Sequence, residues 1–162
     1  MSNAALRALD TIWTNNSFNQ EEELQTGIPL WHCGHIPSHD HLDDGKALWT
    51  TRSAERSDDY RGNAVYLRHL AQHPPTKLTL RPVRNLRAAN FGSASLLDFT
   101  VEHCRSNHST MKHALRDWMI EHGFDAVIGL NREPTEVVVA RPHSVLEVAF
   151  AEPLNPNVPI NH

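Results

Sequence analysis

Residues 109–123, STMKHALRDWMIEHG, carry the strongest helical pattern in the chain, and three β-prone runs, DAVIGL, TEVVVA and SVLEVAF, follow in close succession. Ser109 is placed to cap the helix, Met111, Ala114, Leu115, Trp118 and Met119 share one face, and Gly123 can end it. Strand-like segments also dominate the first half, in IPLWHCGHI (ending near Gly34), ALWTT and TKLTLRPV. Strands at both ends with helices between them point to an α+β fold rather than an alternating α/β one. Shorter helices are expected over residues 4–14, in ASLLDFTVEHC, and in SAERSDDYRG, where a serine starts the turn and Gly62 stops it. NAVYLRHLAQH fits helix or strand. The polar run NNSFNQEEELQTG reads as a loop or a short acidic helix.

A chain of 162 residues suits one domain. The expectation is a single unit over 1–162, with its core at roughly 28–150 and an irregular, Pro- and Asn-rich tail at 151–162. The net charge of −4 gives no global field for nucleic acid, so only a local basic patch around Arg81, Arg84 and Arg87 stays open to it. A solvated basic edge is the simpler reading of those three arginines. Cys33 and Cys104 form neither a C-x-x-C pair nor a disulfide framework. Without an apolar run of membrane-spanning length or a signal-peptide core, a cytosolic setting, its own or a host's, is expected, with no membrane partner.

The densest polar stretch is LWHCGHIPSHDHLDDG, residues 30–45, with His32, His35, His39 and His41 beside Cys33, Asp40, Asp43 and Asp44. It lacks the H-E-x-x-H, C-x-x-C and EF-hand spacings that give metal ligands a common centre. With 12 histidines scattered along the chain, enrichment here means little, and metal binding is the minority reading.

Three pieces taken in order, LWHCG (30–34), LWTTRSAERSDDY (48–60) and TEVVVARP (135–142), resemble the ADP-ribosyltransferase superfamily. The likeness is to its His-Tyr-Glu branch, that of diphtheria toxin and the poly(ADP-ribose) polymerases. His32 falls at the family histidine. Trp49 and Tyr60 stand eleven residues apart, as the two aromatics that flank nicotinamide do, and Ser57 lies three residues before Tyr60. Glu136 opens an apolar strand like the family glutamate, and GFDAVIGL is similar to a strand of small members. The resemblance spans roughly residues 28–148 and rests on order and spacing. Cys33 intervenes between His32 and Gly34, Trp49 stands where tyrosine is usual, and Pro134 excludes the E-x-E pair of arginine-modifying members.

The resemblance implies a split β-sandwich of ADP-ribosyltransferase type with short helices, and NAD as co-substrate. It implies mono-ADP-ribosyl transfer or NAD hydrolysis, with Glu136, His32 and Tyr60 as catalytic residues. His32, Cys33, Gly34, Trp49, Ser57 and Tyr60 would bind NAD, and no metal is implied. The acceptor is expected to be a protein and the setting a toxin, an effector or a phage-encoded modifier. Chemically, a carboxylate on a rigid strand can hold the ribose hydroxyls and stabilise the positive charge that grows as the glycosidic bond breaks. Glu133 is the rival acid, but it precedes Pro134 and reads as loop. Against this stand simpler readings: a hydrogen-bonded core histidine, a core Trp49, packing by Tyr60, a turn serine and a solvent-facing Glu136. Other functions fitting the chain are an inactive domain that binds NAD, nucleotide or protein, and an RNA 2'-phosphotransferase.

Overall fold

The computed structural model describes residues 3–15, 19–34, 36, 41–57, 76–92, 108–129 and 134–154. In chain order these form α1 (Asn3–Asn15), β1 (Gln20–Leu24), β2 (Leu30–Gly34), β3 (Leu48–Thr51), β4 (Thr76–Pro82) and β5 (Leu86–Asn90). Then come α2 (His108–His122), β6 (Ala126–Ile128), β7 (Glu136–Val139), α3 (Pro142–Val145) and β8 (Leu146–Pro153). A further helical turn covers 54–57. The fold is α+β, as expected.

All eight strands join one mixed sheet in the order β1-β5-β6-β7-β3-β2-β4-β8. The pair β5/β6 is parallel, Ala88 facing Ala126, and the segment between those strands carries α2, as a parallel crossover requires. Strand alternation sorts the side chains into two cores. Leu24, Leu86, Ala126, Ile128, Val137 and Val139 share one cluster with Leu30, Leu78, Leu80 and Leu146. These residues come from both ends of the strand order, so the sheet curls until its two halves pack on each other. The opposite side chains, Ala89, Phe91, Val127 and Val138, meet α1 and α2 through Ala5, Leu9, Leu115, Trp118 and Met119.

Helix α2 ends as its sequence suggests. Gly123 adopts φ 71°, its N–H reaches the Ile120 carbonyl, and the Phe124 N–H reaches that of Met119. This paired pattern satisfies two of the last free carbonyls and favours glycine. Ser109, expected as a cap, lies inside the helix.

Two expectations are corrected. The run Gln20–Leu24 is a strand, neither loop nor acidic helix, because β5 answers its acids: Arg87 binds Glu21 at 2.5 Å, Asn90 binds Glu22 at 2.9 Å and Asn85 binds Glu23 at 2.5 Å. The irregular tail cannot begin at 151, because Ala151, Glu152 and Pro153 pair with Leu78, Lys77 and Thr76. Proline is tolerated there because β8 is an edge strand. The run SVLEVAF divides, its first residues closing α3 and the rest opening β8. The ASLLDFTVEHC and NAVYLRHLAQH segments lie outside the described residues.

Candidate active site

Strands β2 and β3 are neighbours, yet their ladder has one pair, Trp31 with Thr51. Each is fully engaged on its other side: β2 with β4 from Leu30/Leu80 to Gly34/Thr76, β3 with β7 from Leu48/Val139 to Thr51/Glu136. The sheet is therefore parted along the segment that carries His32, Cys33 and Gly34.

A side chain bridges the parting. His32 Nδ1 lies 2.7 Å from the Trp49 carbonyl oxygen. A carbonyl only accepts, so Nδ1 carries a proton and donates to it. The imidazole extends over Gly34, two residues along on the same pleat side. A Cβ at position 34 would stand 2.5 Å from His32 Nε2, so the ring would have to move to admit any side chain there. Gly34 is thus explained here by its own histidine.

Cys33 points to the other pleat side, where its thiol donates to the Ser57 carbonyl at 3.3 Å. Ser57 belongs to the helical turn that follows β3. Ser53 caps that turn, as its sequence suggests: its hydroxyl accepts from the Arg56 N–H at 3.2 Å and its carbonyl from the Ser57 N–H at 3.1 Å. The Ser57 hydroxyl donates to the Ala54 carbonyl at 2.6 Å, and the residue is buried. The turn therefore lies over Cys33.

Glu136, half-buried, is the first residue of β7 and faces Thr51, which in turn faces Trp31. Alternation puts Glu136, Thr51 and Trp31 on one pleat side, together with Trp49 and Cys33. His32 leaves on the opposite side with Leu30, so the His32 and Glu136 side chains project from opposite faces of the sheet. Trp49 is half-buried and packs against the cluster under α1 and α2.

The backbone around Glu136 is held by a group that the sequence reading overlooked. Arg52 donates its N–H to the Thr135 carbonyl at 2.8 Å and Nη2 to the Pro134 carbonyl at 3.2 Å. Its Nη1 lies 2.6 Å from Glu22 Oε1, while Asn90 Nδ2 donates to Glu22 Oε2 at 2.9 Å. Burial raises the Glu22 carboxyl, but the hydrogen bonds from Asn90 and Arg52 and the charge of Arg52 outweigh it, leaving Glu22 below the usual carboxylate range. An arginine directly after a strand was the available signal; its partner stands 30 residues earlier.

Tyr60, Glu133, His35 and His39 lie outside the described residues, and among the described residues no group of three or more His, Cys, Asp or Glu side chains could hold a metal. Arg84 and Arg87, read as a solvated edge, are ion-paired with Asp125 and Glu21. They flank an open cavity of about 350 Å³ beside β1, where the carboxylates of Glu21, Glu22, Glu23 and Asp125 outnumber their two guanidiniums.

The fold is similar to that of a chain in the crystal structure of the M. tuberculosis MbcT–MbcA toxin–antitoxin complex, with a TM-score of 0.51 over 96% of this chain and 94% of that one. The two sequences are 10% identical, so the likeness is one of fold. No protein-family profile matches the sequence, and no curated protein does.

Proposed function

We propose that the chain is an NAD-dependent enzyme of ADP-ribosyltransferase type, a mono-ADP-ribosyltransferase or NAD glycohydrolase, built as a single domain. The observation that carries this reading is the parting of β2 from β3 at His32, with Glu136 one strand further on and facing Thr51. Nicotinamide would lie near Cys33, Gly34 and Ser57, its plane held by Trp49 and Tyr60. His32 would bond the adenosine ribose. Glu136 would bond the nicotinamide ribose and stabilise the oxocarbenium as the C–N bond breaks. Nicotinamide leaves with the bond's electron pair, and water or an acceptor nucleophile adds to the ribose carbon.

A toxin-like role with a protein partner is supported by the neighbour, which comes from a toxin–antitoxin complex. RNA 2'-phosphotransfer is less well supported, because Arg52, Arg84 and Arg87 are already paired with carboxylates. A second reading, NAD or protein binding without turnover, draws on the packing of Trp49 against the helical cluster.

The test is release of nicotinamide from NAD, with and without candidate acceptor proteins. Glu136→Gln should cut turnover by about a hundredfold or more, the scale of losing one preorganised electrostatic group, with far less change in NAD affinity. His32→Ala should mainly weaken binding. Glu133→Gln should match wild type, and loss of turnover there alone would transfer the role to Glu133. Binding of NAD with no nicotinamide released would favour the second reading.

A further inference from the structure

We propose that Arg52 is a positioning residue that sets the place of Glu136, and that Glu22 sets the place of Arg52. The inference rests on the active-site reading above. Glu136 stands at the very start of β7. Its ladder partner on the β3 side is Thr51, while the ladder to β6 begins one residue later, at Val137 with Ile128. On that side the Glu136 carbonyl receives the Gly129 N–H at 3.3 Å, a long bond. A strand's first residue held this way tends to fray.

Arg52 counters this from the other direction. Its backbone N–H and its Nη2 hold the carbonyls of Thr135 and Pro134, the two residues that lead into Glu136. The guanidinium can hold the Pro134 carbonyl while facing a carboxylate because its donors form a fixed planar fork; the Thr135 carbonyl is held by the backbone N–H. Glu22 is that carboxylate, and it is itself anchored: Asn90 donates to it, and the Asn90 side-chain oxygen accepts the Gly92 N–H at 2.8 Å. An exposed ion pair does little for stability. This one joins β1 to the residue that follows β3, two strands that β5, β6 and β7 separate in the sheet, and Arg52 also reaches the carbonyl of Pro134, two residues before the proposed catalytic strand. Displacement of a catalytic carboxylate by about 1 Å costs rate far more than it costs binding.

The full chain is assayed for nicotinamide release, with kcat and KM separated, beside its melting temperature and its amide hydrogen exchange. Arg52→Ala should lower kcat about tenfold or more, leave KM within about twofold, and speed exchange at the amides of residues 52 and 129. Arg52→Lys should fall between, since one ammonium cannot serve both Glu22 and the Pro134 carbonyl in the same geometry. Glu22→Gln should act in the same direction, and the Glu22→Gln/Arg52→Ala double variant should be no worse than Arg52→Ala alone. Arg84→Ala, which breaks a different ion pair, should leave kcat unchanged. A melting shift with normal kcat in Arg52→Ala overturns the proposal, and so does a raised KM at normal kcat. If wild type releases no nicotinamide, the active-site reading falls, and exchange alone decides the brace: faster exchange at 52 and 129 upholds it, and unchanged exchange overturns it.

Discussion

The two sides of strand β3 follow opposite logics. Toward β7 the ladder is complete, and above the sheet the helical layer packs rings on rings: Trp118 and Phe124 stack at 5.6 Å, Trp13 lies 5.1 Å from Phe91, and the Trp118 indole donates to Asp10 at 2.7 Å. Toward β2 the ladder stops after one pair, and a histidine, a cysteine and a glycine occupy the parting. The closed side has its backbone groups satisfied by neighbours and its side chains by packing, so it can supply stability. On the open side one imidazole takes the place of a ladder bond, so each side chain there is consequential. Stability and function are therefore expected to separate in mutants across β3.

Trp118→Ala should show the largest effect. The side chain is fully buried, and its loss should cost about 3–5 kcal/mol in a urea titration. Nicotinamide release per folded molecule should stay near wild type. Equal losses of stability and turnover would show that the two sides are not independent. Gly34→Ala should do the reverse. The new Cβ displaces the His32 ring and breaks its bond to the Trp49 carbonyl, so NAD binding should weaken by about tenfold, roughly 1.4 kcal/mol. Loss of that one hydrogen bond should lower stability by about 1 kcal/mol. Undiminished NAD affinity would remove His32 from the site.

The smallest effect concerns acid. Glu22 titrates below its ordinary value, and so does Asp44, where burial is outweighed by hydrogen bonds from the Ser144 hydroxyl and the backbone of Ser144 and His143. A depressed folded-state value contributes stability that is complete above the unfolded-state value and lost as pH falls through the folded one. Stability should therefore decline below about pH 4, the ordinary range of these groups. Glu22→Gln should make that decline shallower and leave its Asp44 part intact, as read by chemical denaturation at stepped pH. An unchanged slope would mean that Glu22 does not couple to folding.

Much of this was legible in local pattern. Strands β2, β3 and β7 are β-prone runs bounded by turn residues, β4 alternates apolar and polar residues, and α2 carries both its apolar face and its terminating glycine. Strand β1 was not legible, because three successive glutamates resemble a strand only once Arg87, Asn90 and Asn85 stand opposite them. Strand β5 escaped for the matching reason: its LRAAN sequence has little β propensity of its own, and its place is fixed by partners on both sides. At the candidate site, order along the chain pointed to His32, Cys33, Ser57 and Glu136. It could not reveal that Gly34 accommodates an imidazole or that Arg52 holds the approach to Glu136, since both are relations across space.

The pairing of β3 with β7 also fixes when the site can exist. The Thr50 hydroxyl donates to the Val137 carbonyl 87 residues further on, and Thr51 meets Glu136 in the same ladder. During synthesis, β2, β3 and the helical turn with Ser57 leave the ribosome long before the strand that brings the carboxylate. Until that late strand inserts between β6 and β3, the sheet is open along its middle and no hydrolytic or transfer chemistry of the proposed kind can begin. A nascent chain of this topology lacks the proposed carboxylate until its last strands are made.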